Sequence, residues 1–148
     1  YHIIYNETLR DRVCAVSNKT HYNEMNVLSM HALIGAYQPQ GYEWVDELNQ
    51  VIQGNIAYFC DYVDEHFEGV AYSRPQGTYM VFLDCTEWCR EHGRDIQWLL
   101  DEGARVGVGY QDGRPFHGPC HIRVNLALPL SRVQEACVRL DRYVFNAQ

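Results

Sequence analysis

The sequence predicts an α+β fold, with helices through residue 66 and then a small antiparallel-rich sheet covered by helices from residue 67 onward. Three observations carry this. Val45, Leu48, Ile52, Ile56, Phe59 and Val63 recur at three- and four-residue steps, the spacing of one apolar stripe on a long helix. Beyond Gly69 the pattern changes to short apolar runs separated by turns that carry Pro and Gly, as strands do. At 148 residues, 47% hydrophobic and 21% charged, the chain has the length of one domain and a composition too apolar for a disordered segment.

The chain opens on an extended apolar stretch, Tyr1 to Tyr5. An edge strand there lacks half of its hydrogen-bond partners unless something pairs with it, so the stretch is expected to belong to a larger body. Asn6 is placed to cap a helix from Glu7 to Val16, with acidic Glu7 favourable near its positive end. The polar stretch Ser17 to Glu24 reads as a loop. A second helix, Met25 to Tyr37, carries Val27, Leu28, Met30, Leu33 and Ile34 nearly all round, which predicts that it is buried or lies at an interface. Gln38-Pro39-Gln40-Gly41 ends it. The long helix then runs from Tyr42 to His66; at 1.5 Å per residue it is roughly 35 Å long, more than a small domain needs, and is expected to bridge two bodies.

Val70 to Ser73 and Thr78 to Asp84 read as strands joined by the turn Arg74-Pro75-Gln76-Gly77. Asp84 and Glu87 have capping-box spacing for a short helix through His92. Asp95 caps another helix, which Gly103 closes. Arg105 to Tyr110 and Cys120 to Leu126 read as strands, with Asp112-Gly113 turning between them. After Pro129, Ser131 and Gln134 form a second capping box, opening a final helix from Arg132 to Phe145 whose apolar face is Val133, Ala136, Cys137, Leu140 and Val144.

Charge excludes some functions. Against 12 Lys+Arg stand 19 Asp+Glu, a net charge of −7. Lys19 is the single lysine and the arginines are scattered, so the clustered cations that neutralise phosphates are missing and nucleic acid is not an expected partner. No apolar run approaches the roughly 20 residues of a membrane helix. The six cysteines are irregularly spaced among apolar neighbours, which reads as buried free thiols in a reducing cytoplasm rather than a disulfide framework. Cys85 and Cys89, followed by His92, resemble half of a zinc site without a second pair of ligands. His117 and His121 read as ordinary polar residues, and no metal is expected. Tyr72, Tyr79 and Phe82, on predicted strands, are expected in the core.

Four segments carry a family resemblance. Gly41-Tyr42-Glu43-Trp44-Val45-Asp46-Glu47-Leu48, with Asn55 downstream, resembles the Gly-x-x-Trp-(Leu/Val)-Asp-x-Leu...Asn signature of the cystathionine β-lyase branch of fold-type I pyridoxal-phosphate enzymes, within the class I/II aminotransferase superfamily. Tyr1 to Arg10 resembles the strand and helix start that follow the cofactor lysine. Pro75 to Cys85 is similar to the Pro-x-Gly-Thr-Tyr strand of the small domain, and His121 to Ala127 to the Ile/Met-Arg-Leu-Asn strand before the last helix. Together they cover essentially the whole chain, in the family's order.

The resemblance implies a C-terminal part: residues 1–40 the end of the large cofactor-binding domain, 41–66 a linking helix, and 67–148 the small C-terminal domain. It implies pyridoxal 5'-phosphate as cofactor. The Schiff-base lysine and the acidic partner of the pyridine nitrogen are then expected upstream of Tyr1, so the chain alone is expected to be inactive. The implied activity is α,β-elimination from sulfur-containing amino acids by a cytoplasmic homodimer with active sites near the subunit interface. An aminotransferase, or the ligand-sensing domain of a transcriptional regulator, shares the fold and stands as an alternative; so does a small interaction domain without the cofactor.

Two residues need weighing. Ser17-Asn18-Lys19-Thr20 superficially resembles a Ser-x-Lys cofactor motif, but Lys19 lies after the strand that should follow the true lysine, in a predicted polar loop with no burial to activate it. Arg123, by the resemblance, binds the α-carboxylate of the substrate, a task that suits the planar guanidinium fork. The plainer alternative is an arginine paired with a local acid. Asn125 shares Arg123's side of the strand and is expected to support the backbone. Many relatives carry Phe-Gly where this chain has Phe116-His117, so the loop approaching the substrate is expected to differ.

Overall fold

Local capping starts the helices. In the computed structural model, which describes residues 3–22 and 24–147, α1 (Glu7–Thr20) and α2 (Val27–Ala36) each follow an asparagine. Asn6 Oδ1 accepts from the Leu9 amide at 2.9 Å and Asn26 Oδ1 from the Ser29 amide at 2.8 Å, each satisfying a free N–H of a first turn. The chain divides into two units, Tyr1–Val45 and Asp46–Gln148; these two helices belong to the first.

α1 runs four residues past its expected end. Thr20 Oγ1 donates back to the Val16 carbonyl at 3.0 Å, and His21, left-handed at φ 52°, closes the helix. Lys19 therefore sits in a last helical turn, where the helix dipole favours a cation, and not in a loop. Ile3 to Tyr5 join no strand: no ladder forms beside them, and an unpaired strand has nothing to hold it. The remainder of that expected strand, Tyr1 and His2, lies outside the described residues. Val27, Leu28, Leu33 and Ile34 of α2 are exposed, so the burial expected of this helix is not met within the described residues. α3 (Pro39–His66) opens at Pro39, three residues earlier than expected, because the first helical position needs no amide hydrogen.

In the second unit a four-stranded antiparallel sheet forms, β1 (Ala71–Tyr72), β2 (Met80–Asp84), β3 (Gln111–Asp112) and β4 (His121–Asn125), in the order β1-β2-β4-β3. Alternation sorts its side chains. Val81, Leu83, Ile122 and Val124 point into the core, while Phe82, Asp84, His121 and Arg123 stand on the opposite, open face. Against the core face pack Phe59 and Val63 of α3, Trp88 of α4 (Thr86–His92), Leu99 of α5 (Ile96–Arg105) and Val133 and Leu140 of α6 (Leu130–Leu140). A π-helical turn, Asp141–Phe145, extends α6 and buries Val144 and Phe145. Asn55, fully buried on α3, donates through Nδ2 to the carbonyls of Leu126 at 2.8 Å and Leu128 at 2.7 Å, clasping the chain as it leaves β4.

Several expectations need correction. Arg105 to Tyr110 is not a strand: Arg105 ends α5, Gly107 turns the chain at φ 77°, and only Gln111 and Asp112 pair with β4. The alternation of Val106, Val108 and Tyr110 mimics a strand because all three pack on the core from an irregular segment. Gly103 does not close α5 but lies inside it, bare because the Tyr110 ring fills the place of a side chain. Asp84 is not the cap of α4: that place falls to Cys85, whose side chain makes no capping bond, and Asp84, one residue earlier, accepts from the Thr86 amide at 2.9 Å, while Glu87 pairs with Arg90 at 2.7 Å and does not complete a box. Ser131 lies inside the first turn of α6, which has no side-chain cap. Tyr79 is exposed, not core.

Candidate functional site

The site is built where β3 meets β4. The register sets Gln111 directly opposite Arg123 and Phe82 opposite it on the other side. Arginine has donors only, so the amide oxygen of Gln111 faces it: Arg123 Nη1 donates to Gln111 Oε1 at 2.9 Å. The ring of Phe116 lies 4.4 Å from Arg123 Cζ, a cation–π contact that covers one face of the guanidinium. Among the described residues no carboxylate stands within ion-pair distance of Arg123, so the pairing with a local acid weighed above is not made.

Phe116 reaches Arg123 because the loop beyond β3 is tied down. Gly113 donates to the His121 carbonyl at 2.9 Å, and a side chain at Gly113 would strike that same carbonyl. A 3₁₀ turn, Arg114–Phe116, follows, with the Phe116 amide bonded to the Gly113 carbonyl at 2.8 Å. Gly118 then passes against the Phe82 ring and His121, where no side chain fits. Asp112 accepts from the Arg114 amide at 2.9 Å and from Arg114 Nε at 2.7 Å; the amide first, then the guanidinium, hold its carboxyl below the usual range. His117 takes φ 63°, a left-handed conformation that glycine adopts freely and a side chain with a Cβ does not.

Other residues singled out by sequence fall into place around this. Asn125 is on the open face, its Oδ1 accepting from the Ala127 amide at 2.8 Å, a backbone support. His121 lies tilted against Phe82, with ring centroids 4.6 Å apart, and its buried Nδ1 lies 3.8 Å from Asp84 without a hydrogen bond. Beside them a depression of about 340 Å³ is lined by Ala71, Tyr72, Ser73, Phe82, Asp84 and His121. Cys85 and Cys89 are buried, and burial first, then contact with Cys120, pushes the Cys89 thiol up to about 12, so it stays protonated. His92 lies flat on Trp88 and bonds through Nδ1 to the Trp88 carbonyl at 2.8 Å. Gln111 escaped sequence reasoning, because its place opposite Arg123 depends on a two-residue strand that alternation does not reveal.

A small antiparallel sheet with an arginine on its open face, covered by helices and reached through a long helix, is the fold of the C-terminal part of fold-type I pyridoxal-phosphate enzymes. No family model matches the chain. It is 35% identical over 122 residues to a protein assigned as a cystathionine beta-lyase in Mycobacterium leprae (strain TN), covering 72% of this chain and 29% of that protein. Among solved structures, a pyridoxal-phosphate-bound protein of Clostridium difficile 630 assigned as an aminotransferase superposes with a TM-score of 0.81 at 22% identity, over 94% of this chain and 35% of that one. Cystalysin from Treponema denticola, which contains a pyridoxal 5'-phosphate cofactor, does so at 0.78 with 25% identity, over 94% and 35%. The chain has the fold of the C-terminal part of a fold-type I pyridoxal-phosphate enzyme and spans about 29% of the length of the curated relatives it matches.

The two residues weighed above differ in their settings. Lys19 is exposed on a helix without a buried residue, which supplies none of the burial that activates a Schiff-base lysine. Arg123 offers a half-buried guanidinium without a charged partner among the described residues, which fits a carboxylate. No helix among the described residues is long and apolar enough to cross a membrane.

Proposed function

We propose that this chain is the C-terminal part of a pyridoxal-phosphate-dependent C–S β-lyase that acts on cystathionine-like amino acids by α,β-elimination, releasing a thiol, ammonia and a keto acid. In this reading residues 1–40 end the large cofactor-binding domain, residues 41–66 link, and residues 67–148 form the small domain. The cofactor lysine lies outside the chain, and the parent works as a cytoplasmic homodimer. The exposed apolar residues of α2 support an assembled state, since such a patch marks an interaction site. The observation that carries the reading is Arg123, charged, half-buried and held by a neutral amide and a ring rather than by an acid.

Pyridoxal phosphate, when bound, supplies the electron sink for charge that develops at Cα. Arg123 binds the α-carboxylate in two parallel charge-assisted hydrogen bonds. Because both oxygens are engaged, the plane of the carboxylate is fixed, and with it the direction of the bonds at Cα. Phe116 covers one face of the guanidinium and keeps water from it.

The test uses the full-length protein loaded with cofactor and given L-cystathionine. Thiol and keto acid are expected in equal amounts, without an added amino acceptor. Arg123→Ala is expected to lower kcat/KM by about a hundredfold to ten-thousandfold, since two charge-assisted bonds of about 1.5–3 kcal/mol each are lost. A keto acid that keeps its sulfur and forms only with an acceptor would replace the lyase by an aminotransferase, a reading the likeness to the Clostridium structure favours.

A further inference from the structure

An arginine that waits for a carboxylate has two needs that conflict. Its long side chain has many rotamers and must be held still, yet the usual means of holding it, an acidic partner, would fill the fork and cancel the charge that the substrate needs. Resting on the reading of Arg123 as the carboxylate-binding residue, we propose that Gln111 is its positioning residue, a neutral clamp that fixes the guanidinium while leaving its charge and its remaining donors to the substrate.

The geometry supports each part. Gln111 is the cross-strand partner of Arg123, and its Oε1 takes one Nη1 hydrogen at 2.9 Å. Of five guanidinium donors this engages one, so enough remain for two parallel bonds to a carboxylate. Phe116 at 4.4 Å fixes the plane without occupying a donor. The carboxylate nearest in sequence, Asp112, is turned away by strand alternation, since it stands opposite Ile122 rather than Arg123. It is also occupied: Arg114 binds it at 2.7 Å while Arg114 Nη2 donates to Gln97 Oε1 at 2.9 Å. Arg114 thereby keeps the neighbouring acid from competing for Arg123. An amide at residue 111 and an ion pair at 112 and 114 have one consequence, a cation on the open face that is held but not neutralised.

The experiment compares Gln111→Met, Gln111→Glu and Arg123→Lys in the full-length holoenzyme, reading KM and kcat for L-cystathionine and, by calorimetry, the dissociation constant for L-alanine, which carries the carboxylate but no leaving group. Gln111→Met removes the acceptor at similar volume, and KM and the L-alanine dissociation constant are expected to rise about threefold to tenfold, with kcat within about twofold. Gln111→Glu places an anion on the guanidinium and is expected to raise both by more than tenfold, beyond the Met variant, an order that a merely structural side chain would not produce. If Arg123→Lys raises KM while both Gln111 variants leave it within about twofold, or lower kcat instead, the clamp is overturned and Arg123 keeps its role. If Arg123→Lys leaves KM and the L-alanine constant unchanged, the reading of Arg123 falls and the clamp falls with it.

Discussion

Among the described residues, Ile3 to Val45 make two capped helices and the first turns of a third without burying one side chain, whereas from Asp46 onward twenty hydrophobic side chains are buried about one sheet. Three helices, two in the first unit and one in the second, begin in the same way: Asn6, Asn26 and Asp95 each accept a first-turn amide. What differs is burial. A cap contributes about 1 kcal/mol, and burying one large aliphatic or aromatic side chain about 1.5–3 kcal/mol. Caps therefore say where a helix starts, but burial decides how much it resists unfolding. Isolated helices the length of α1 and α2, 14 and 10 residues, are marginal in water on caps alone.

The largest effect is expected where burial is complete. Phe59→Ala should destabilise the second unit by about 3–5 kcal/mol, read as a lower urea midpoint, while Leu33→Ala on exposed α2 should move it by less than about 0.5 kcal/mol; equal shifts would break the contrast. Next comes Asn55→Ala, which strips the Leu126 and Leu128 carbonyls of their partner and should cost about 1–3 kcal/mol. Asn6→Ala should cost α1 about 1 kcal/mol, seen as faster hydrogen exchange at Leu9 with no change at Leu99. The smallest effect concerns Asp84. Burial pushes its carboxyl up, but the two bonds from Thr86 and the nearby His121 outweigh burial and leave it below the usual value. A depressed native carboxyl contributes stability that is present above the unfolded value and lost as pH falls through the folded one. Urea midpoints should therefore fall more steeply below about pH 4 in the native chain than in Asp84→Asn.

Much of this was legible in the residues. The stripe from Val45 to Val63, the face of α6, and the caps at Asn6 and Asp95 follow from spacing and side-chain chemistry. Arg123 was reachable only through the resemblance, since one arginine on one strand has no pattern of its own. The stretch from Arg105 to Asp112 was misread because Val106, Val108 and Tyr110 alternate for burial while Gly107 bends the backbone out of any ladder. Lys19 was misplaced because Ser17 to Thr20 is polar, and polarity alone does not distinguish a loop from an exposed last turn. Gln111 and Phe116 acquire meaning only from tertiary placement, the one through its partner across the sheet and the other through a turn tied to the His121 carbonyl.

The clasp of Asn55 bears on folding fidelity. In a sheet, pairing shifted by one residue turns every side chain over, so a slipped β4 would send Arg123 into the core and leave Val124 outside. Hydrophobic burial alone opposes such a slip only after the whole layer has packed. One amide bound to two carbonyls, Leu126 and Leu128, makes a more local check, because a shifted strand presents neither oxygen where Nδ2 can reach both. The two bonds of Asn55 are thus made in the one alignment that delivers Arg123 to the open face.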